Sequence, residues 1–146
     1  MESLHYLLMK SHAMFSHKIL SEVSKIGLTS GQPKILEFLY KYQEADQKTI
    51  AAYCEIEQAT VGSILLRMEH AGLVTRRNKE GNRRSLYVSL TKEGQQAAEQ
   101  LMEIFQNAEE KVTKNLSEQE VLELRKLLTT ICETMQNQVE SGKKKI

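Results

Sequence analysis

Five of the six arginines in this chain, Arg67, Arg76, Arg77, Arg83 and Arg84, fall within one short stretch. With Lys79 they set six basic side chains against two acids, Glu69 and Glu80. A guanidinium presents paired N–H donors that match phosphate oxygens, so such a cluster suits a polyanion. The formal net charge of +1 conceals this, because residues 95–142 hold nine acids and four bases. A basic middle beside an acidic tail half is the pattern of a local electrostatic footprint.

Other chemistry finds little support. The sequence has no Gly-x-Gly-x-x-Gly, no Gly-x-Ser-x-Gly and no phosphate-loop lysine signature. His5, His12, His17 and His70 do not fall at i, i+4 with a carboxylate, so no catalytic residue is assigned. Cys54 and Cys132 lack metal-ligand spacing and read as small buried hydrophobes in a reducing compartment. Cys54, beside a helix turn, is the one redox candidate. Neither a metal nor a cofactor is expected. No apolar run reaches the roughly 20 residues that span a bilayer. The start carries Glu2 and lacks a basic signal region, which points to the cytoplasm.

The elements that must position the arginines follow from periodicity. At 146 residues, with 40% hydrophobic and 27% charged residues and a single proline, the chain suits one helix-rich domain. Leu4, Leu8, Phe15, Ile19, Val23 and Ile26 mark a first amphipathic helix ending at Gly27. Thr29 and Gln32 make a capping box for a second helix, with Pro33 in its first turn and Ile35, Leu36, Leu39 and Tyr40 on its core face. Asp46 caps a short third helix through Ile50, Ala51 and Cys54. After Glu55-Ile56-Glu57, a fourth helix buries Val61, Ile64, Leu65 and Met68 and stops at Gly72. Two short helices joined by a tight turn make a helix-turn-helix.

The period then changes to two. Leu73-Val74-Thr75-Arg76-Arg77 and Ser85-Leu86-Tyr87-Val88-Ser89-Leu90 read as strands, with residues 78–84 as the loop between them. Behind a helix-turn-helix, that hairpin is a wing. Thr91 caps a long helix with Ala98, Leu101, Phe105, Ala108 and Val112 along one stripe. Ser117-Glu118-Gln119-Glu120 is a second capping box, opening a last helix through Val121, Leu124, Leu128, Ile131 and Met135. Residues 143–146 are a basic tail. The expected fold is mainly α with a small β-hairpin wing. It divides into a winged helix-turn-helix lobe over 29–92 and a helical dimerisation region over 1–27 and 95–142. Leu4, Leu8, Val121, Leu124, Leu128, Ile131 and Met135 are the expected dimer contacts, because an apolar three-four stripe on a terminal helix must be covered.

Leu28-Thr29-x-x-Gln32, Ala59-Thr60-Val61, Arg67-Met68-Glu69-x-Ala71-Gly72-Leu73-Val74, Asn82-Arg83-Arg84 and Leu90-Thr91-x-x-Gly94 together resemble the MarR (multiple antibiotic resistance regulator) family of winged-helix regulators. The likeness covers nearly the whole chain and is most specific from Thr60 to Gly94. It implies a homodimer on a palindromic operator, acting as a repressor, with terminal helices interlocked between subunits. A small molecule, metal or oxidant then changes the spacing of the DNA-reading lobes. Departures from the family pattern are Asn82 in place of an aspartate that braces the wing arginine, and Glu55 in place of a turn glycine. Glu57 also replaces a better cap, and Ser63 a basic side chain.

In that setting the fourth helix enters the major groove of double-stranded DNA and presents Gln58, Ala59, Thr60, Gly62, Ser63 and Arg67. Gln58 can pair an adenine edge. Gly62 serves either close approach to DNA or helix packing. Arg67, Arg76 and Arg77 bind phosphate, while Asn82, Arg83 and Arg84 belong to the wing, with Arg84 entering the minor groove. Ser30, Gln32, Lys48 and Thr49 lie near helix N-termini that face the DNA backbone. Met9, His12, Met14, His17 and Tyr40 are candidates for a small-molecule effector pocket. The alternatives are a winged-helix protein-interaction module without DNA binding, and a redox-responsive regulator using Cys54.

Overall fold

The computed structural model describes residues 1–79 and 82–144, and their side chains except at 79, 82–85 and 143–144. Six helices and three strands occur among them, in the order α1 (Leu4–Ser24), α2 (Gln32–Tyr42), β1 (Glu44–Asp46), α3 (Gln47–Cys54), α4 (Gln58–His70), β2 (Val74–Lys79), β3 (Asn82–Leu90), α5 (Lys92–Val112) and α6 (Glu118–Lys144). The chain forms two compact units, Met1–Ala108 and Glu109–Ile146. No described helix is long and apolar enough to cross a membrane.

In the first unit the core gathers Ile35, Leu36 and Leu39 of α2, Ile50 and Ala51 of α3, and Val61, Ile64, Leu65 and Met68 of α4. Val74, Val88, Ala98 and Leu101 close it from the hairpin and α5. The four apolar positions expected of α4 are all buried, as a 3.6-residue period requires. Only the C-terminal part of α1 joins this core, through Val23 with Ile19 and Ile26 packed beside it. Leu4 and Leu8 are exposed.

Some details differ from the sequence reading. Tyr40 is exposed, and Phe38 is buried in its place. Phe38 is covered because the tilted Tyr42 and Tyr53 rings pack against it, each with its centroid 4.9 Å away. The second helix opens at Gln32 behind Gly31, which offers no side-chain cap. Half of the expected Thr29–Gln32 box forms: the Gln32 side-chain oxygen accepts from the Thr29 N–H at 3.1 Å, while the Gln32 N–H goes to the Thr29 backbone carbonyl.

The sheet has three strands in the order β1-β3-β2, all antiparallel. The hairpin pairs from Val74↔Leu90 out to Lys79↔Asn82, so Arg83 and Arg84 stand on β3 instead of in a loop over 78–84. The expected wing tip at Glu80 and Gly81, and the end of the basic tail at Lys145 and Ile146, lie outside the described residues.

In the second unit, Ser117 and Glu120 form the full box. Ser117 N–H donates to Glu120 Oε1 at 2.9 Å, and Glu120 N–H donates to Ser117 Oγ at 3.1 Å. This starts α6, whose Leu124, Leu128 and Met135 are exposed, with Val121 and Ile131 half-buried. Cys132 is exposed on the same helix, a correction to its expected burial. Its place beside that uncovered apolar stripe is the reason.

Candidate nucleic-acid interface

Helix α3 begins where Asp46 accepts the Thr49 N–H at 2.8 Å, satisfying one of the donors a helix start leaves open. Hydrogen bonds from the Thr49 hydroxyl and N–H hold the Asp46 carboxyl below its ordinary value. The turn into α4 places Glu55 in the left-handed region at φ 55°, ψ 46°. Ile56 N–H then reaches back to the Ala51 carbonyl at 3.1 Å and closes the helix end. Glu57 makes no side-chain cap for α4, in keeping with its being a poor one.

Helix α4 presents an exposed face made of Gln58, Ala59, Thr60, Ser63, Leu66 and Arg67. Ser63 Oγ turns back onto the Ala59 carbonyl at 3.3 Å. Gly62 lies half-buried, and a Cβ built on it would stand 2.9 Å from Gln47 Nε2. The space above this glycine is therefore filled by α3, the packing explanation of the two considered. Gln47 itself was not expected at the site. Its only sequence signal is its place just after the Asp46 cap.

At the base of the wing, Thr91 ties three elements together. Its hydroxyl donates to the Gly72 carbonyl at 2.6 Å and accepts from Gly94 N–H at 2.9 Å, while its own N–H donates to the Leu73 carbonyl at 3.0 Å. Gly94 must be glycine, because a Cβ there would collide with the Leu73 backbone oxygen, which cannot move aside.

The arginines divide by their partners. Arg76 is mostly covered, 17% exposed, and grips Glu69 of α4 through two nitrogens at 3.2 and 3.4 Å. That hydrogen bonding lowers the Glu69 carboxyl below its usual value. Arg76 thus braces the hairpin against α4, a different task from the phosphate contact expected of it. Arg77 points to the other face of the hairpin and is 67% exposed, with one nitrogen 2.7 Å from Glu44 of β1. Arg67 is exposed on α4. The side chains of Asn82, Arg83 and Arg84 lie outside the described residues.

Of the residues expected along the DNA backbone, Ser30, Lys48 and Thr49 are exposed. Gln32 is buried and committed to Thr29, which removes it from that surface. Met9, His12, Met14, His17 and Tyr40 are all exposed in the single chain. They do not line the shallow groove found on this lobe, which is bounded by Phe38, Tyr42, Glu44, Ala45, Thr49, Ala52 and Tyr53. Cys54 is buried, and desolvation pushes its thiol up to about 11. A thiol so rarely ionised is poorly suited to redox sensing.

The sequence profile of the MarR family matches residues 28–86, the span from α2 to the wing. The homoprotocatechuate degradative operon repressor of Escherichia coli is 34% identical over 101 residues, covering 66% of this chain and 68% of that protein. The HTH-type transcriptional regulator MgrA of Staphylococcus aureus is 29% identical over 116 residues, covering 78% of this chain and 74% of that one. Among solved structures, the Staphylococcus aureus MepR–DNA complex superposes with a TM-score of 0.81 at 24% identity, over 92% of this chain and 99% of that chain. With its helix-turn-helix, its wing and a profile match centred on both, the chain belongs to the MarR family.

Proposed function

We propose that this protein is a sequence-specific DNA-binding transcriptional regulator, a repressor that works as a homodimer on a palindromic operator. The carrying observation is the exposed face of α4 from Gln58 to Arg67, lying next to an arginine-bearing hairpin. A helix of this kind fits the major groove, and its polar side chains meet base edges. Arg67 and Arg77 contact phosphates, which set register without reading sequence. Arg84, with Arg83 and Asn82 beside it, enters the minor groove, where narrow A·T-rich stretches favour a guanidinium. Ser30, Lys48 and Thr49 flank the backbone.

Two copies joined through α1 and α6 engage half-sites about 10 bp apart, one helical turn. The names of the curated relatives, a repressor and a transcriptional regulator, support a regulatory role over a catalytic one. The protein works in the cytoplasm, and a small-molecule effector bound beside α1 and Tyr40 changes the spacing of the two lobes.

Selection of bound duplexes from a random pool, at stated salt, tests this reading. A palindrome with half-sites one turn apart is the expected product, with log K falling steeply against log salt as counterions are released. Arg84→Ala is expected to weaken binding about tenfold, the effect of one lost contact worth ~1.4 kcal/mol, and most at A·T-rich flanks. Selection that enriches no sequence sinks the proposal.

A further inference from the structure

Gln47 opens α3 and Gln58 opens α4, so each glutamine is the first residue of one helix of the pair. Gln47 Nε2 donates to the Gln58 backbone carbonyl at 2.9 Å. A carbonyl has two lone pairs, so this bond adds to the helix's own ladder without displacing it. The same nitrogen occupies the space 2.9 Å from where a Gly62 Cβ would stand. Residues 58 and 62 are one turn apart on one flank of α4, so the Gln47 amide spans the helix's first turn. Glycine is disfavoured inside a helix, and here it admits that amide. The Gln58 side chain is exposed and is held by no other described residue. What the fold fixes is therefore the point on the backbone from which it extends.

We propose that Gln47 is a positioning residue for base reading. Its amide clamps the first turn of α4 so that Gln58 meets an adenine edge in one geometry, and Gly62 is glycine to seat the clamp. This rests on the DNA-binding reading above and adds to it a residue outside the recognition helix. Bidentate pairing of a carboxamide with adenine N6 and N7 is directional, so a loosened first turn loses discrimination before it loses phosphate contacts.

The test uses the full-length protein and the duplex it selects. Affinity is measured for that duplex and for versions with each adenine replaced, the position read by Gln58 being the one lost in Gln58→Ala. Wild type is expected to discriminate about tenfold there. Gln47→Met keeps length and bulk but cannot donate, and is expected to cut that ratio to about threefold with the salt slope unchanged. Gly62→Ala keeps Gln47, fills its seat and favours the helix, so it folds and gives the same relaxation. The double variant is then no worse than either single one, as two changes to one contact should be. Uniform weakening across all sequences, or an unchanged preference in both variants, overturns the clamp while DNA binding stands. A wild type that binds no duplex overturns both.

Discussion

Among the described residues, three helix ends close in the same way, with an N–H reaching back five residues to a buried turn. Leu28 bonds Val23, Leu73 bonds Met68 and Ile56 bonds Ala51. The first two closures pass through Gly27 and Gly72 at φ 81° and 77°, whereas the third passes through Glu55. A side chain in the left-handed region is strained where glycine is not. Glu55→Gly is therefore expected to stabilise the fold by about 0.5–1 kcal/mol in denaturant melts, the strain released less the entropy glycine adds to the unfolded chain. Asp46 shows the opposite economy. Its folded carboxyl titrates below the ordinary 3.8, so its contribution is complete above that value and is lost as pH falls through the folded one. Asp46→Asn keeps the cap's shape, should melt below wild type at neutral pH, and should match it in acid. Asp46 and the Ser117–Glu120 box were legible in the sequence because their partners lie three residues away. The partners of Arg77 were not legible, since Glu44 is 33 residues distant.

The hairpin illustrates the same divide for whole elements. Its strands were visible because alternation over Ser85 to Leu90 has only one structural reading, and α4 was visible because four apolar residues repeat at helical spacing. β1 escaped notice. Three residues, Glu44–Asp46, are too few to show any period, and the strand exists only because β3 offers a free edge to pair with. Its presence matters for the wing, because it carries the carboxylate that meets Arg77 at 2.7 Å. A pair whose arginine stands this far in solvent adds little stability. It does offer Arg77 a carboxylate in competition with phosphate. Glu44→Gln is expected to raise duplex affinity at low salt and to steepen the slope of log K by less than about 0.9, as Arg77 turns wholly to the phosphate it otherwise shares with Glu44. Glu123→Gln on α6 gives the control for net charge alone, and an identical response in the two variants would deny Arg77 that role.

At the scale of the molecule, the apolar positions of α6 and of the first half of α1 remain uncovered in a single chain. Leu4, Leu8, Leu124, Leu128 and Met135 are all exposed, more large apolar surface than scattered single residues account for. A second copy is the proposed cover. Leu128→Glu is expected to shift the protein from dimer to monomer in sedimentation and to abolish the concentration dependence of its melting temperature. A wild type that sediments as a monomer would refute the assignment. In such a dimer the junction at Thr91 comes into play. One hydroxyl joins the end of α4, through Gly72, to the start of α5, through Gly94, and the adjoining N–H binds the hairpin's root at Leu73. The reading helix, the ribbon and the long helix behind them meet at this residue, with Gly94 allowing the close approach that a side chain would block. A ligand that tilts α5 is therefore expected to swing the lobe as one arm, changing the gap between two intact hands and leaving each hand's grip as it was.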